Sequence, residues 1–214
     1  MKNNELHQNK KTALFATILG SLVGFAGIGH GILAASQGFA NSNSFYLEKS
    51  GSFSVIPNYL VTGIIAIILG SFIIFWSIKY LSSKNGPKIF IISSILMIVI
   101  GGGLAAIVYA PITFIVALKI KSRKEPKTAT CLRSISDALA KKWALTLFIS
   151  IASLFIGLTL LFICNASSGL YFVSVLMGGI ILLLSFIAQY FTFITGYKID
   201  RKAQSNIGKA NVLI

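Results

Sequence analysis

The sequence predicts an all-α, polytopic membrane helix bundle of six helices: four long spans plus a glycine- and proline-broken hairpin, with both termini cytoplasmic. Three observations favour this class: 55% of the 214 residues are hydrophobic, only 11% are charged, and the mean hydropathy is +0.83. Soluble domains carry about 25% charged residues, and a soluble fold of this size has too much surface to hide so many apolar side chains. A disordered chain would contain few of them. We therefore expect a single integral membrane domain over residues 1–214.

The net charge of +14, from 19 basic and 5 acidic residues, raises the alternative of nucleic-acid binding. A nucleic-acid-binding domain carries its basic residues on a water-soluble body. Here the basic residues lie between long apolar runs, so the expected partner is the lipid bilayer, and no nucleic acid is expected.

Four apolar runs each have the length of one membrane span, since about 20 apolar residues cross about 30 Å of hydrocarbon. They are residues 12–35, 60–78, 144–164 and 171–196. The first run follows basic residues and ends in Ala34-Ala35-Ser36, which would also suit a cleaved signal peptide. Its apolar core is longer than the ~7–15 residues of a signal peptide, so we expect a retained span.

A fifth apolar run, residues 89–118, is too long for one crossing and too short for two ordinary ones. Its middle contains Gly101, Gly102 and Gly103, each of which weakens a helix by about 1 kcal/mol relative to Ala. Pro111 lacks a backbone N–H and disfavours a helix interior. These residues predict two short helices, 89–106 and 111–120, with the chain reversing at or near Tyr109 and Pro111.

The distribution of basic residues favours the hairpin, because cytoplasmic loops are enriched in Lys and Arg. A hairpin puts 18 of the 19 basic residues on the cytoplasmic side and only Lys49 outside. A single crossing would put 13 inside and 6 outside at best. Trp and Tyr concentrate at membrane interfaces, and five of them fall at the cytoplasmic ends of this arrangement. They are Trp76, Tyr80, Trp143, Tyr190 and Tyr197.

The segment between the hairpin and the next span predicts a cytoplasmic amphipathic connector, residues 128–142. Leu132, Ile135, Leu139 and Trp143 recur at spacings of three and four, which is one stripe of a helix. Basic residues lie beside this stripe, so the connector is typical of a helix lying on the anionic lipids of the inner leaflet. A simple surface connector and a docking site for a partner are the alternatives.

Small residues recur at helical spacing in all four long spans. They predict faces on which membrane helices pack closely, because association in lipid depends on close packing and interhelical hydrogen bonds. The candidate packing residues are Gly20, Gly24, Gly27, Gly31, Gly63, Gly70, Ser150, Gly157 and Gly178. Such faces also suit a homo-oligomer or a membrane partner. The alternative is that they line a polar path for a substrate.

Chemistry-bearing residues are scarce, since the interiors of the predicted spans contain no Asp, Glu, Lys or Arg. Proton-coupled carriers, metal transporters and most membrane enzymes have such residues there. His30 is the one candidate functional residue of this kind, and a His bonded to backbone at a helix end is the alternative. No second ligand lies at metal spacing, and Cys131 and Cys164 lie on opposite sides of the membrane. No metal, cofactor or disulfide is therefore expected.

Four segments carry a resemblance to a group of known sequences. They are residues 27–32 (GIGHGI), 55–64 (VIPNYLVTGI), 84–86 (KNG) and 101–103 (GGG). Over roughly residues 12–120 the chain resembles a loosely defined group of small multi-span membrane proteins of bacteria and archaea. Members carry an acidic residue after Gly-His-Gly and a double proline after the triple glycine, whereas this sequence has Ala34-Ala35-Ser36 and the single Pro111. The group has no established activity, so the resemblance implies fold and location alone.

Three functions are weighed against these features. The first is a non-enzymatic membrane protein that packs with itself or a partner, which the small-residue faces and the basic connector favour. The second is a small transporter or channel for a neutral or apolar solute, with the broken hairpin at residues 101–111 as its path. The third is a membrane enzyme acting through His30. A water-accessible cavity at residues 101–103 would favour transport, and a filled core would favour packing.

Overall fold

The computed structural model describes residues 10–39, 46–47, 52–101, 103–121, 138–164 and 171–210. The chain divides into two compact units, residues 1–123 and residues 124–214, and each is described by itself. Within the described residues the secondary structure is α-helical apart from one pair of two-residue strands. The predicted all-α class is therefore confirmed.

The first unit contains four helices and the strand pair among its described residues. The helices are α1 (Lys10–Ala35), α2 (Tyr59–Lys79), α3 (Gly86–Ile100) and α4 (Leu104–Lys119). The antiparallel strands β1 (Tyr46–Leu47) and β2 (Ser52–Phe53) lie between α1 and α2 in the chain. Asn58 begins α2, since its side chain accepts a hydrogen bond from the Val61 amide at 3.1 Å. Pro87 stands in the first turn of α3, where its missing N–H costs no helical bond.

Two pairs of glycines set the direction of α2 relative to α1. Gly24 lies beside Gly70, and Gly31, further along α1, lies beside Gly63, which precedes Gly70 in α2. The two helices therefore run antiparallel, with their backbones in contact at positions seven residues apart.

The chain reverses direction between α3 and α4. Helix α3 runs parallel to α1, because Phe90 lies by Gly20 and Met97 lies by Gly27. At the end of α3 the Val99 carbonyl accepts a hydrogen bond from the Val55 amide, in the segment before α2, at 3.2 Å. Helix α4 packs against both α1 and α3. Helix α4 has 16 residues and starts next to the end of α3. It can pack along both α1 and α3 only if it runs antiparallel to them.

The reversal lies at residues 101–103, so the prediction that it lies at Tyr109 and Pro111 is wrong, as are the boundaries 89–106 and 111–120. Gly101 has a φ of +116° and Gly103 a φ of +80°, a left-handed backbone that glycine adopts readily. Proline requires only a φ near −65°, which a helix provides. Helix α4 accordingly continues through Pro111.

The second unit contains α5 (Trp143–Cys164) and α6 (Tyr171–Ala210) among its described residues. They pack antiparallel, since Gly157 lies beside Leu182 and Trp143 lies beside Thr192. Helix α6 has 40 residues and continues well past residue 196, where the predicted span ends. Hydropathy marks the end of an apolar segment, whereas this helix continues as a polar one, in which Arg201 bonds to Gln204 at 3.0 Å.

Most of the predicted connector 128–142 lies outside the described residues, which resume at residue 138. Residues 138–140 are helical, and the amphipathic connector stays a prediction.

Among the described residues, three helices are long and apolar enough to cross a membrane, by length and composition: Lys10–Ala35, Tyr59–Lys79 and Leu176–Ser205 within α6. Shorter apolar helices cover Gly86–Ile100, Ala106–Lys119 and Trp143–Gly157. Large apolar side chains are exposed on the outside of several helices, among them Ile68 at 62%, Ile92 at 64% and Phe148 at 69%. These findings support the prediction of a membrane protein with transmembrane helices, because such apolar surface suits lipid and not water.

Candidate functional site

The interface between α1 and α2 is built on glycine. A methyl group added at Gly24 would lie 2.6 Å from the Gly70 carbonyl oxygen, and one added at Gly70 would lie 2.6 Å from that of Gly24. The pair formed by Gly31 and Gly63 gives the same result at 2.8 Å and 2.5 Å. Ordinary contacts begin near 3.4 Å, so no larger residue fits at these four positions unless the helices move apart. Small residues that allow backbones to approach in this way are typical of helix association in membranes.

The other two predicted glycines of α1 face different neighbours. A methyl group at Gly20 would lie 2.5 Å from the Ser77 hydroxyl of α2 and 3.2 Å from the Phe90 ring of α3. One at Gly27 would overlap the sulfur of Met97 in α3. The four glycines of α1 share one sequence pattern but lie at two interfaces, one with α2 and one with α3. Their spacing alone does not show which glycine lies at which interface.

The reversal at residues 101–103 brings His30 and Gly103 together. The His30 ring occupies the place where a side chain at Gly103 would begin, so an added methyl group would overlap its Cδ2 and Nε2 atoms. Gly103 is buried, and His30 is partly buried. Glycine is thus required at position 103 by the left-handed backbone and by the imidazole above it. The sequence singles out both residues but does not predict that they touch.

The other residues of the predicted hairpin path do not share one surface. Gly101 and Tyr109 are buried, whereas Pro111 is exposed on α4. Gly102 lies outside the described residues.

A hydrogen-bonded loop covers the same end of the unit as His30. The Ser54 hydroxyl lies 3.0 Å from the Thr62 hydroxyl and 3.1 Å from the Ile56 carbonyl oxygen, to which Thr62 also donates at 3.1 Å. The Asn58 side-chain amide donates to the Phe39 carbonyl oxygen at 3.4 Å. The sequence did not predict this hydrogen-bonded loop. Asn58 before an apolar run was its one recognisable signal, since Asn is a preferred first residue of a helix.

The opposite end of the first unit collects its lysines, and we call it the lysine end. Helix α1 starts there, α2 ends there, α3 starts there and α4 ends there, as the helix directions require. The lysines are Lys10, Lys11, Lys79, Lys84, Lys88, Lys119 and Lys121. None of the described residues of this unit is Asp or Glu, so acidic side chains within that part of the chain do not balance this charge.

A cluster of aromatic rings lies at the lysine end of α2, and Lys79 contacts one of them. The Trp76 ring centroid is 4.8 Å from that of Tyr80 and 5.5 Å from that of Phe72. The Trp76 indole N–H donates to the Gly86 carbonyl oxygen at 3.1 Å, and the Lys79 ammonium lies 5.0 Å from the Phe75 ring centroid. Trp76 and Tyr80 therefore lie beside lysines at a helix end, as an interfacial position would require.

The second unit has a polar seam between α5 and α6. The Ser185 hydroxyl donates to the Ser150 carbonyl oxygen at 2.9 Å, and the Gln189 amide donates to the Ser185 hydroxyl at 3.3 Å. The Trp143 indole N–H donates to the Thr192 carbonyl oxygen at 2.9 Å. The bonds of Ser185 to Ser150 and of Trp143 to Thr192 join the two helices, whereas the bond of Gln189 to Ser185 lies within α6. Interhelical hydrogen bonds contribute on average about 0.6 kcal/mol in membrane proteins.

The remaining predicted residues of this unit fall at or near the seam. Gly157 faces Leu182, whose side chain would lie 2.9 Å from an added methyl group, and Gly178 is buried. Trp143 and Tyr197 are buried, at 6% and 1% exposure. The Trp143 indole finds its hydrogen-bond partner within the helix pair, and the predicted interfacial position of the two residues stays a prediction.

No three His, Cys, Asp or Glu side chains come together within the described ranges in a group that could hold a metal ion. Comparison of the chain with protein-family models, with curated proteins and with solved structures finds no match in any of the three.

Proposed function

We propose that this chain is a multi-pass protein of the cell membrane, with four long spans, an α3–α4 hairpin that enters the membrane and returns, and cytoplasmic termini. The lysine end supports this topology, because basic residues concentrate on the cytoplasmic side of membrane proteins. The described residues at the opposite end of the unit include no Lys or Arg. The exposed apolar side chains between the two ends suit lipid.

Within the membrane, the protein acts as a non-enzymatic packing and interaction protein. One observation carries this proposal: side chains of the protein fill the space that its glycines leave. The His30 ring covers Gly103, and Met97 occupies the face of Gly27. A transporter that used the broken hairpin would need that space for its solute. Its path would also need to include Pro111, which lies exposed on the outside of α4.

The proposed partners follow from the same features. They are the lipid bilayer, the anionic lipids of the inner leaflet, and either a second copy of the chain or another membrane protein. No cofactor takes part, and His30 serves to close the reversal and not to carry out a reaction.

Vesicle swelling tests the packing proposal against transport. Purified protein is reconstituted into vesicles, which are moved into an iso-osmotic solution of a neutral solute such as glycerol. We expect the swelling rate of protein-free vesicles, because the reversal is filled. His30→Ala, which removes the ring above Gly103, is the comparison variant. Faster swelling with the wild-type chain, together with a changed rate in His30→Ala, would identify the hairpin as a solute path and contradict the proposal.

A further inference from the structure

The turn that joins α2 to α3 concentrates positive charge. Lys79, Lys84 and Lys88 are all exposed there, within ten residues of one another. We call these three lysines, with Trp76 and Tyr80, the lysine turn. The Lys79 ammonium rests by the Phe75 ring at 5.0 Å, which leaves Lys84 and Lys88 as the two lysines best able to contact a ligand.

The start of α3 adds to this charge. The first turn of α3 contains no acidic residue, and the Asn85 side chain makes no capping hydrogen bond. Lys88 stands in that turn, although the positive pole of a helix dipole favours anions at this position. Two lysines and a helix N-terminus therefore act together without an acidic neighbour among the described residues of the unit.

The turn has a fixed shape. The Trp76 indole N–H donates a hydrogen bond to the Gly86 carbonyl oxygen at 3.1 Å, and the centroids of the Trp76 and Tyr80 rings lie 4.8 Å apart. A methyl group at Gly86 would overlap the Tyr80 carbonyl oxygen, so the chain is closed tightly at this point. The lysines are thus presented by a rigid turn next to two aromatic rings.

Exposed apolar surface continues from the lysine turn along α2. Phe75 is 46% exposed and Ile78 is 63% exposed. A ligand that matches the whole surface needs an anionic group for the lysines, an intermediate region for the aromatic rings and an apolar part for α2. Trp and Tyr rings prefer the headgroup level of a bilayer, and polybasic segments attract anionic leaflets.

We propose that the lysine turn binds the phosphate of an anionic phospholipid, with Trp76 and Tyr80 at the level of the lipid glycerol and the acyl chains along α2. This inference rests on the proposed membrane location and names the residues that bind the anionic lipid proposed as a partner. It assigns lipid selectivity to Lys84 and Lys88, in a part of the chain separate from the predicted connector.

Fluorescence quenching tests the proposal on the full chain in vesicles. Phosphatidylglycerol or phosphatidylcholine with brominated acyl chains is mixed at a low fraction into unbrominated lipid. The Trp76 signal is the difference between the wild-type chain and Trp76→Phe. Lys84→Gln/Lys88→Gln removes two charges from the turn. Lys10→Gln/Lys11→Gln removes two charges from the same end of the unit, on a different helix, and is the matched control.

We expect Trp76 to prefer phosphatidylglycerol over phosphatidylcholine by at least about fivefold, since each lysine near an anionic surface contributes about that factor. The preference should fall close to one in Lys84→Gln/Lys88→Gln and persist in Lys10→Gln/Lys11→Gln. Inorganic phosphate at the same concentration should leave it unchanged. Loss of the preference in phosphate would identify a site for simple anions and overturn the lipid assignment.

The remaining outcomes separate this inference from the function on which it rests. Equal quenching by both lipids, or a preference that survives Lys84→Gln/Lys88→Gln, overturns the lipid site and leaves the membrane location intact. Quenching by neither lipid contradicts the membrane location itself.

Discussion

Two glycines on α1 offer a matched test of the α1–α2 interface. A methyl group at Gly24 would lie 2.6 Å from the Gly70 carbonyl oxygen, whereas one at Gly29 would meet no atom within 4 Å. To restore an ordinary contact of 3.4 Å at Gly24, the helices must separate by about 0.8 Å, which also weakens the contact at Gly31. Changing either glycine to alanine gives the same gain in helix propensity, about 1 kcal/mol.

The difference between the two variants therefore isolates the packing term. Overpacking costs about 1–3 kcal/mol, so Gly24→Ala should be destabilised by about 0–2 kcal/mol after the gain in propensity is deducted. Gly29→Ala should be as stable as the wild-type chain or more so. In a chain of this size, 1 kcal/mol shifts Tm by roughly 2–4 °C. The Tm of Gly24→Ala in mild detergent should accordingly lie roughly 2–12 °C below that of Gly29→Ala. The same Tm for both variants would refute the claim that the α1 and α2 backbones touch at Gly24.

Two further predictions address the reversal and the polar seam. Gly103→Ala should lower the free energy of unfolding by about 2–5 kcal/mol, because it combines a left-handed backbone with overlap of the His30 ring. Gly179→Ala, where an added methyl meets no atom within 4 Å, should have no such effect. Equal Tm values for the two variants would contradict the contact between Gly103 and His30. Ser185→Ala removes the interhelical hydrogen bond to Ser150 and the hydrogen bond from Gln189 within α6, and it should cost about 1 kcal/mol. Its control is Ser71→Ala, since that exposed hydroxyl bonds only within its own helix at 2.8 Å. A larger decrease in the free energy of unfolding, measured by chemical denaturation, for Ser71→Ala than for Ser185→Ala would contradict the stabilising role of the polar seam.

Hydropathy and residue spacing predict much of this fold, because both report directly on the environment of a helix. The long apolar runs give α1 and α2 almost to the residue. Small residues at helical spacing identify the faces that pack, including Gly24 and Gly70. Spacing carries no information about which helix supplies the neighbour, so it assigns Gly27 to the same face as Gly24, although Gly27 lies by Met97 of α3.

The errors have a common physical origin in the backbone. Gly101 and Gly103 each adopt a positive φ, and this turns the chain, whereas Pro111 needs only a helical φ and can remain inside α4. The rule that proline breaks helices thus gives the wrong position for the reversal. The contact between His30 and Gly103 joins residues 73 positions apart in the sequence, and no local pattern predicts it.

Thiol labelling at both ends of the hairpin tests the central claim most directly. Cysteines are introduced singly at Lys88, Lys121 and Phe39, in a background in which Cys131 and Cys164 are replaced by serine. The folded unit has Lys88 and Lys121 at the lysine end and Phe39, which is 78% exposed, at the opposite end. An impermeant reagent applied to intact cells should label the cysteine at position 39 and neither of the other two, which should react only after the cells are permeabilised. Labelling of one of positions 88 and 121 on intact cells, but not of the other, would show a single crossing and contradict the hairpin.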